Sequence, residues 1–281
     1  EKDRVQRSRP EGTAGKALVV GGAGNMGRWF VEFLESKGYQ CSVADLRGAP
    51  PGRPHVVDVP GAAAGFDIIL LATPPSATAG VLRSLRGRTS ALVVDIASLK
   101  APVADALREL AASGGNVASI HPMWGPQTEI LAGRNLVVCD LGEPSHAREA
   151  RKLFEDTAAN IVEMPLDEHD RAMALVLGLP HAVNLVFGRA LAARGPPFGD
   201  LANLGGPTFQ KQVQVSAEVA AENKDLYFEI QKLNPHTAEV LSSLRQSLEE
   251  LEAALAARER FRAYMAKADS YFRPDAAEGP E

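Results

Sequence analysis

The feature that most limits how this chain can fold is six residues long: Gly22-Ala23-Gly24-Asn25-Met26-Gly27. It directly follows the apolar run Ala17-Leu18-Val19-Val20 and opens a stretch where Met26, Phe30, Phe33 and Leu34 recur at helical spacing. Strand, glycine turn and helix in that order begin a βαβ unit, and each glycine has its own job. Gly22 permits the tight turn, Gly24 lets the backbone approach a pyrophosphate, and Gly27 allows close packing of strand and helix. The first N–H groups of the helix, at Asn25 and Met26, face the anion. Gly38 stops the helix, and Cys41 to Asp45 resumes as a strand. Asp45 follows Gly27 by 18 residues, where an acid holds the adenosine ribose hydroxyls and repels a 2′-phosphate, so NAD is expected over NADP. Arg47 pulls the other way, because it could serve such a phosphate. Ala72-Thr73-Pro74-Pro75 lies after the fourth strand, which makes Thr73 and Pro74 candidates for the cofactor edge; a proline-stopped loop would look the same.

The alternation continues beyond this start. Strands are expected near Val56–Val57, Asp67–Leu71, Ala91–Asp95, Val117–Ile120, Leu136–Cys139 and Asn160–Glu163, with helices at Pro102–Ala112 and His146–Phe154. That pitch predicts an α/β fold, a Rossmann-type doubly wound parallel sheet. After Pro165 the strand signals vanish, and Asp167–Ala193, Thr208–Gln231 and Pro235–Ala268 all suit helices, giving an all-helical second half. The division expected is a flexible lead-in at 1–15, a dinucleotide-binding domain at 16–165, a helical substrate and dimerisation domain at 166–272, and a flexible tail at 273–281. Leu241, Leu244, Leu248, Leu251 and Leu255 form an apolar stripe that suits either packing within the domain or a dimer seam.

Two loops at the carboxyl ends of later strands carry the candidate chemistry, because open α/β sheets place their ligands there. They are Asp95-Ile96-Ala97-Ser98-Leu99-Lys100 and His121-Pro122-Met123-Trp124-Gly125-Pro126. Taken alone, Ser98 could be a helix cap for the segment near Pro102, and His121 a satisfied structural histidine. The position of His121 between an apolar strand and a proline is expected to expose it. Together, GGAGNMGRWF, DIASLK, HPMWGP and the later EHDRAMALVLGLPHAVNLVFG resemble the prephenate dehydrogenase family, most closely the dehydrogenase half of the bacterial bifunctional chorismate mutase/prephenate dehydrogenase. The resemblance runs from about Lys16 to about Tyr271; no mutase domain is expected ahead of it. It implies a dinucleotide domain and a helical dimerisation domain with the active site between them, a homodimer, and NAD-dependent oxidative decarboxylation of a cyclohexadiene acid. It also implies roles. His121 contacts the ring C4 hydroxyl and accepts its proton, Ser98 supports that histidine and the substrate, and His181 lines the pocket, although an apolar helix face alone would make His181 a core residue.

The resemblance breaks at one place. Where the family has an arginine gripping a substrate carboxylate, in a Ser-Ser-Pro-x-aromatic-Arg stretch, this chain has Gly205-Gly206-Pro207-Thr208-Phe209-Gln210. Losing a bidentate cation from a pocket for a dianion costs a few kcal/mol of binding. Either another cation, Arg189 or Lys211, compensates for Gln210, or the substrate brings its own positive charge. Arogenate and 4-amino-4-deoxyprephenate both do so, the second in antibiotic pathways, and the aminated substrate is the expectation taken forward.

Other classes are weighed against this one. A β-hydroxyacid dehydrogenase or imine reductase shares the architecture but carries a lysine or aspartate where His181 stands. A non-catalytic NAD-sensing protein would keep the glycines without needing Ser98 and His121 together. The run Asp167, Glu168, His169, Asp170 is taken as an ordinary acidic helix start rather than a metal site, and no metal is expected. A net charge of −5 and a pI near 5.8 offer no basic field for nucleic acid or an anionic membrane. No apolar run is expected to reach membrane-spanning length, and the polar start from Glu1 contains no signal core. The chain begins without Met, which leaves a trimmed segment before Glu1 open. Cys41 and Cys139 suit two reduced core thiols, and the cytoplasm is the expected location.

Overall fold

The computed structural model describes residues 15–142 and 144–273. The expected lead-in up to residue 14 and the tail from 274 lie outside the described residues. The elements run β1 (Lys16–Val20), α1 (Asn25–Ser36), β2 (Gln40–Ala44), α2 (Val59–Ala62), β3 (Ile68–Leu71), α3 (Pro75–Ser84), β4 (Leu92–Asp95), α4 (Ala104–Ala112), β5 (Asn116–Pro122), β6 (Asn135–Asp140), α5 (Pro144–Lys152), β7 (Asn160–Pro165) and α6 (Leu166–Met173). After a π turn at Ala174–Gly178 come α7 (Leu179–Arg194), α8 (Phe198–Leu204), α9 (Pro207–Ala221), α10 (Lys224–Leu233), α11 (Thr237–Ala254) and α12 (Arg258–Phe272).

Among the described residues seven strands form one sheet in the order β2-β1-β3-β4-β5-β6-β7. The first five pair in parallel, as expected of strands such as Ile68–Leu71 and Leu92–Asp95, in which every residue is buried. The sheet is not wholly parallel, however. β6 lies antiparallel to β5, with His121 opposite Val137, and β7 returns parallel to β6. The cause is the connection: among the described residues no helix separates Pro122 from Asn135, so the chain doubles back without a crossover.

Two other expectations change. Val56–Val57 forms no strand; only His55 bridges Val43, because Pro54 interrupts the run just before it. The Pro74-Pro75 stretch is a helix start as well as a loop end, since Pro75 opens α3 at a position whose N–H needs no partner.

Helices cover both faces. Phe30, Val31 and Leu34 of α1 and Phe154 pack against one side of the sheet; Leu82, Leu85, Leu107 and Leu110 pack against the other. Each fully buried apolar side chain of this kind contributes about 1.5–3 kcal/mol. Cys41 and Cys139 are both free and buried, on β2 and β6, and burial pushes each thiol up to about 11.

The chain divides into two compact units. Among the described residues, the first holds those from 15 to 172 together with Asp225–Asn234; the second holds Met173–Lys224 and those from 235 to 273. This differs from a boundary at 165. Helix α6 belongs with the sheet because His169 and Asp170 are buried there, and α10 returns to the sheet because Ile230 and Asn234 are buried. In the helical unit α7 packs on α9 through Asn184, whose Oδ1 accepts from Gln212 Nε2 at 2.9 Å and Ser216 Oγ at 2.8 Å. The helix Leu166–Arg194 is, by length and composition, long and apolar enough to cross a membrane, with a mean hydropathy of 1.5 over an 18-residue stretch within it. That corrects the expectation of no such run: the polar opening Asp167–Arg171 hides the apolar stretch behind it.

Candidate active site

The glycine turn joins β1 to α1 beside β2 and β3. Gly21, one residue ahead of the expected motif, is the glycine whose conformation demands it: φ is +84°, and an added Cβ would stand 2.5 Å from the Ala72 carbonyl oxygen. The tight turn therefore rests on Gly21. Gly22 is required for a different reason, since a Cβ there would meet the Val43 side chain at 2.8 Å. Gly27 lets α1 approach the turn, with a virtual Cβ only 2.1 Å from the Gly21 carbonyl oxygen. At Gly24 a Cβ would meet only the Gly21 carbonyl oxygen at 3.2 Å and the Arg47 guanidinium at 3.7 Å, so the space beside this residue is otherwise open. Gly24 caps α1 without a side-chain acceptor, and no acid stands in the first turn. The opening N–H groups, including those of Asn25 and Met26, are thus left for an anion.

Asp45 ends this cradle. Its Oδ2 accepts from the Ala23 N–H at 3.0 Å, and its Oδ1 accepts from Arg47 N at 2.9 Å and Arg47 Nε at 3.2 Å. Burial works to raise the carboxyl, but hydrogen bonds from the Arg47 side chain and from both N–H groups outweigh it and hold it below the usual carboxylate range. Arg47 is thereby committed to a carboxylate, and a 2′-phosphate would have to displace that partner and face Asp45. These residues fit NAD. Across the turn, Thr73 Oγ1 lies 2.8 Å from Thr78 Oγ1, and Pro74 caps α3. Ser76 Oγ in the first turn donates to Glu229 Oε1 of α10 at 2.7 Å.

A second group of residues gathers at the carboxyl ends of β4 and β5. Lys100 is 1% exposed, and its ammonium donates to Asp95 Oδ2, Ala97 O and Ile120 O, each at 2.8 Å. All three of its protons are used. Asp95 also accepts from the Ser119 hydroxyl at 2.9 Å and the Ala97 N–H at 2.9 Å. The acid and lysine of the DIASLK stretch therefore form a closed, buried pair that fixes the loop. Ser98 sits half-buried on that loop. It does not cap α4, which begins at Ala104 with no side-chain cap.

His121 is buried at 4% exposure rather than exposed, because β5 continues through it to Pro122 and β6 pairs along its other edge. Its Nδ1 lies 3.0 Å from His169 Nε2 on α6. His169, fully buried, reaches Asp170 Oδ1 through its Nδ1 at 2.7 Å. Asp170 in turn accepts from the N–H groups of Lys100 at 2.8 Å and Ala101 at 2.6 Å, and Asn234 Nδ2 donates to its carbonyl at 2.8 Å. The neighbour on His121 Nδ1 is thus His169, not Ser98. The acidic start of α6 also divides: Asp167 is exposed and pairs with Arg108, whereas His169 and Asp170 are buried parts of this cluster. Burial, then His169 and Lys100, hold the His121 imidazole well below its ordinary range; burial does the same for His169, against the pull of Asp170.

The remaining candidates lie in the helical unit. His181 is half-buried on α7, and burial lowers its imidazole. Gln210 is exposed in the first turn of α9, where its Nε2 donates to Gly205 O at 2.9 Å. Gly205 is required there, since a Cβ would stand 2.5 Å from the Phe209 ring. Lys211 is exposed one position on, about 100° around the helix.

The prephenate dehydrogenase nucleotide-binding domain model matches residues 56–163, and the prephenate dehydrogenase dimerization domain model matches residues 165–267. The chain belongs to the prephenate dehydrogenase family. A 4-amino-4-deoxyprephenate dehydrogenase of Streptomyces pristinaespiralis is 30% identical over 253 residues, covering 86% of this chain and 85% of that protein. A probable arogenate/prephenate dehydrogenase of Methanocaldococcus jannaschii is 24% identical over 275 residues, covering 93% of this chain and 62% of its own length. In fold, the chain is similar to the prephenate dehydrogenase of Aquifex aeolicus crystallised with hydroxyphenyl propionate and NAD+, with a TM-score of 0.73, 19% identity, and coverage of 92% of this chain and 98% of that one. The family resemblance drawn from the glycine turn, DIASLK and HPMWGP holds. The matched nucleotide-binding segment starts after Asp45, so in this prephenate dehydrogenase homologue the case for the cofactor loop rests on the loop's own geometry.

Proposed function

We propose that this protein oxidises and decarboxylates a prephenate-type cyclohexadiene acid, and that an aminated one, 4-amino-4-deoxyprephenate, is preferred to prephenate. The observation that carries the reaction is His121, a buried imidazole held neutral at the carboxyl end of β5, in the same sheet whose β1 ends in the NAD cradle. NAD, when bound, supplies the acceptor for the hydride that leaves ring C4. His121 takes the proton of the C4 substituent, which leaves the electron pair on that substituent free to drive the hydride out. Loss of the C1 carboxylate as carbon dioxide then makes the ring aromatic; with prephenate the phenoxide formed takes the proton back from His121, whereas a positively charged 4-ammonium ends as a neutral aromatic amine and its proton passes from His121 to water. A lowered imidazole suits this work because it stays unprotonated through neutral pH. Ser98, half-buried on the loop that Lys100 and Asp95 fix, and His181 on α7 are assigned to substrate contact.

The substrate preference rests on Gln210. Its amide donates to Gly205 O, so the group it offers is a neutral amide oxygen rather than the doubly donating cation of a guanidinium. The Streptomyces relative supports the same preference. Exposed Leu248, Leu255 and Met265 in the segment matched by the dimerization domain support a homodimer through the helical unit, and we assign the protein to the cytoplasm. The test is NADH formation by purified protein with NAD and prephenate, arogenate or 4-amino-4-deoxyprephenate in parallel. A preference for 4-amino-4-deoxyprephenate supports the assignment, and Gln210→Arg then shifts the preference toward prephenate. Efficient turnover of prephenate with neither amino analogue used overturns the substrate; no turnover of any of the three overturns the reaction.

A further inference from the structure

The run Asp170, His169, His121 leaves little freedom for where the protons sit. Asp170 accepts two backbone N–H groups, from Lys100 and Ala101, and a carboxylate so placed stays ionised. Its Oδ1 stands 2.7 Å from His169 Nδ1, a spacing that two lone pairs would not tolerate, so Nδ1 carries the proton and donates. A neutral His169 then has only a lone pair at Nε2. That lone pair faces His121 Nδ1 at 3.0 Å, which must therefore carry the proton of His121. The imidazole of His121 is left with its lone pair on the opposite nitrogen, Nε2.

We propose that His169, oriented by Asp170, is a positioning residue that locks His121 in the Nδ1–H tautomer, so that His121 Nε2 is the atom that takes the substrate proton. The inference rests on the reaction proposed above for its use, but its tautomers do not depend on that reaction. The step balances: the N–H or O–H bond at the C4 substituent breaks, a bond to His121 Nε2 forms, and Nδ1 keeps its proton throughout. The arrangement separates two properties that a direct carboxylate–histidine pair would join. An adjoining carboxylate would orient the imidazole and also make it more basic. Here the carboxylate is one neutral ring away, so orientation comes without the strong upward pull on the base. The titratable groups around His121 come from each neighbouring element: His169 and Asp170 from α6, Asp95 from β4 and Lys100 from its loop, and Cys139 from β6 opposite Ser119.

The decisive experiment is ring-15N histidine NMR of the full-length wild-type protein at neutral pH, with His121 and His169 assigned by their loss in His121→Asn and His169→Gln. The expected spectrum shows both residues protonated on Nδ1 and unprotonated on Nε2, although free histidine favours the other tautomer. An Nε2–H form of His121, or a doubly protonated His169, overturns the inference whatever the turnover. Absence of turnover with all three substrates alongside the expected spectrum overturns the reaction instead and leaves the lock standing. Kinetics add a second readout. His169→Leu is expected to lower kcat about 10–100-fold with KM and NAD affinity changed less than about twofold. His169→Gln, whose amide can donate to Asp170 and accept from His121, is expected to recover most of that loss. Equal kcat loss in both variants, or a loss carried by KM, overturns the positioning role.

Discussion

The cofactor turn and the buried cluster around Lys100 stand at the same edge of one sheet, yet they are built in opposite ways. The turn is shaped by missing atoms. Gly21, Gly22 and Gly27 each sit where a single added carbon would collide with backbone or with Val43, and the polar groups at the start of α1 face outward for a ligand. The cluster around Lys100 is shaped by closure. Asp95, Ser119, Lys100, His169 and Asp170 bind one another or the backbone until their donors and acceptors are used, and His121 is the ring at its end. The contrast teaches how one sheet edge is built for the two tasks proposed for it. Holding an anion calls for unsatisfied N–H groups and room, whereas orienting a proton acceptor calls for neighbours that leave it one free nitrogen.

Breaking the closure should have the largest effect. Lys100→Met leaves Asp95 as a buried carboxylate without its cation, a change that costs about 3–5 kcal/mol. Thermal unfolding is expected to show Tm lowered by roughly 10 °C; an unchanged Tm would mean that the cluster is not closed. His121→Asn removes the end of the cluster without opening it. Turnover should drop by about 10²–10⁴ while NAD affinity, read by fluorescence titration, stays within about twofold. Comparable activity in that variant would remove His121 from the chemistry. Gly27→Ala tests the other region. The added carbon forces α1 away from the turn at a cost of about 1–3 kcal/mol, so NAD affinity should fall while the histidine NMR signals of the cluster remain. Loss of those signals would show that the two regions are not independent.

The smallest effect separates the regions by pH. His121 and His169 are lowered in the folded protein, so the stability they contribute is present above the unfolded value near 6.5 and is lost as pH falls through the window below it. Asp45 in the turn is also lowered, but its contribution is lost only below about pH 3.8. A plot of Tm against pH is expected to decline first below about 6.5, and His169→Gln should flatten that first decline. A Tm that stays flat down to about pH 4.5 in the wild-type protein would contradict the burial of two neutral imidazoles.

Much of this fold was legible in the linear chain, because the constraints that matter there are local. A buried strand needs an apolar run, a tight turn needs glycine, and a helix needs spaced apolar residues, so β1, the turn, α1 and β2 follow from the consecutive residues 16–44. HPMWGP and DIASLK likewise mark strand ends, which is where α/β sheets hold their ligands. The chain by itself thus determined the Rossmann-type sheet and the glycine turn, and placed His121 at a strand end beside that sheet edge. It pointed to Gly22, which alone satisfies the GxGxxG spacing, as the turn glycine, whereas the positive φ falls on Gly21 one residue earlier.

Tertiary structure alone decided what surrounds His121. His169 and Asp170 look like any acidic helix start until α6 packs at the ends of β4 and β5, and no local pattern distinguishes them from exposed Asp167 and Glu168. The return of α10, which brings Asn234 to the carbonyl of Asp170 and Glu229 to Ser76, joins residues far apart in the chain and has no periodic signature. The physical reason is the same in each case. Steric and periodic demands act between neighbours and are written in order along the chain, whereas the partner of a buried polar group is chosen by packing, which brings together whichever residues can satisfy it.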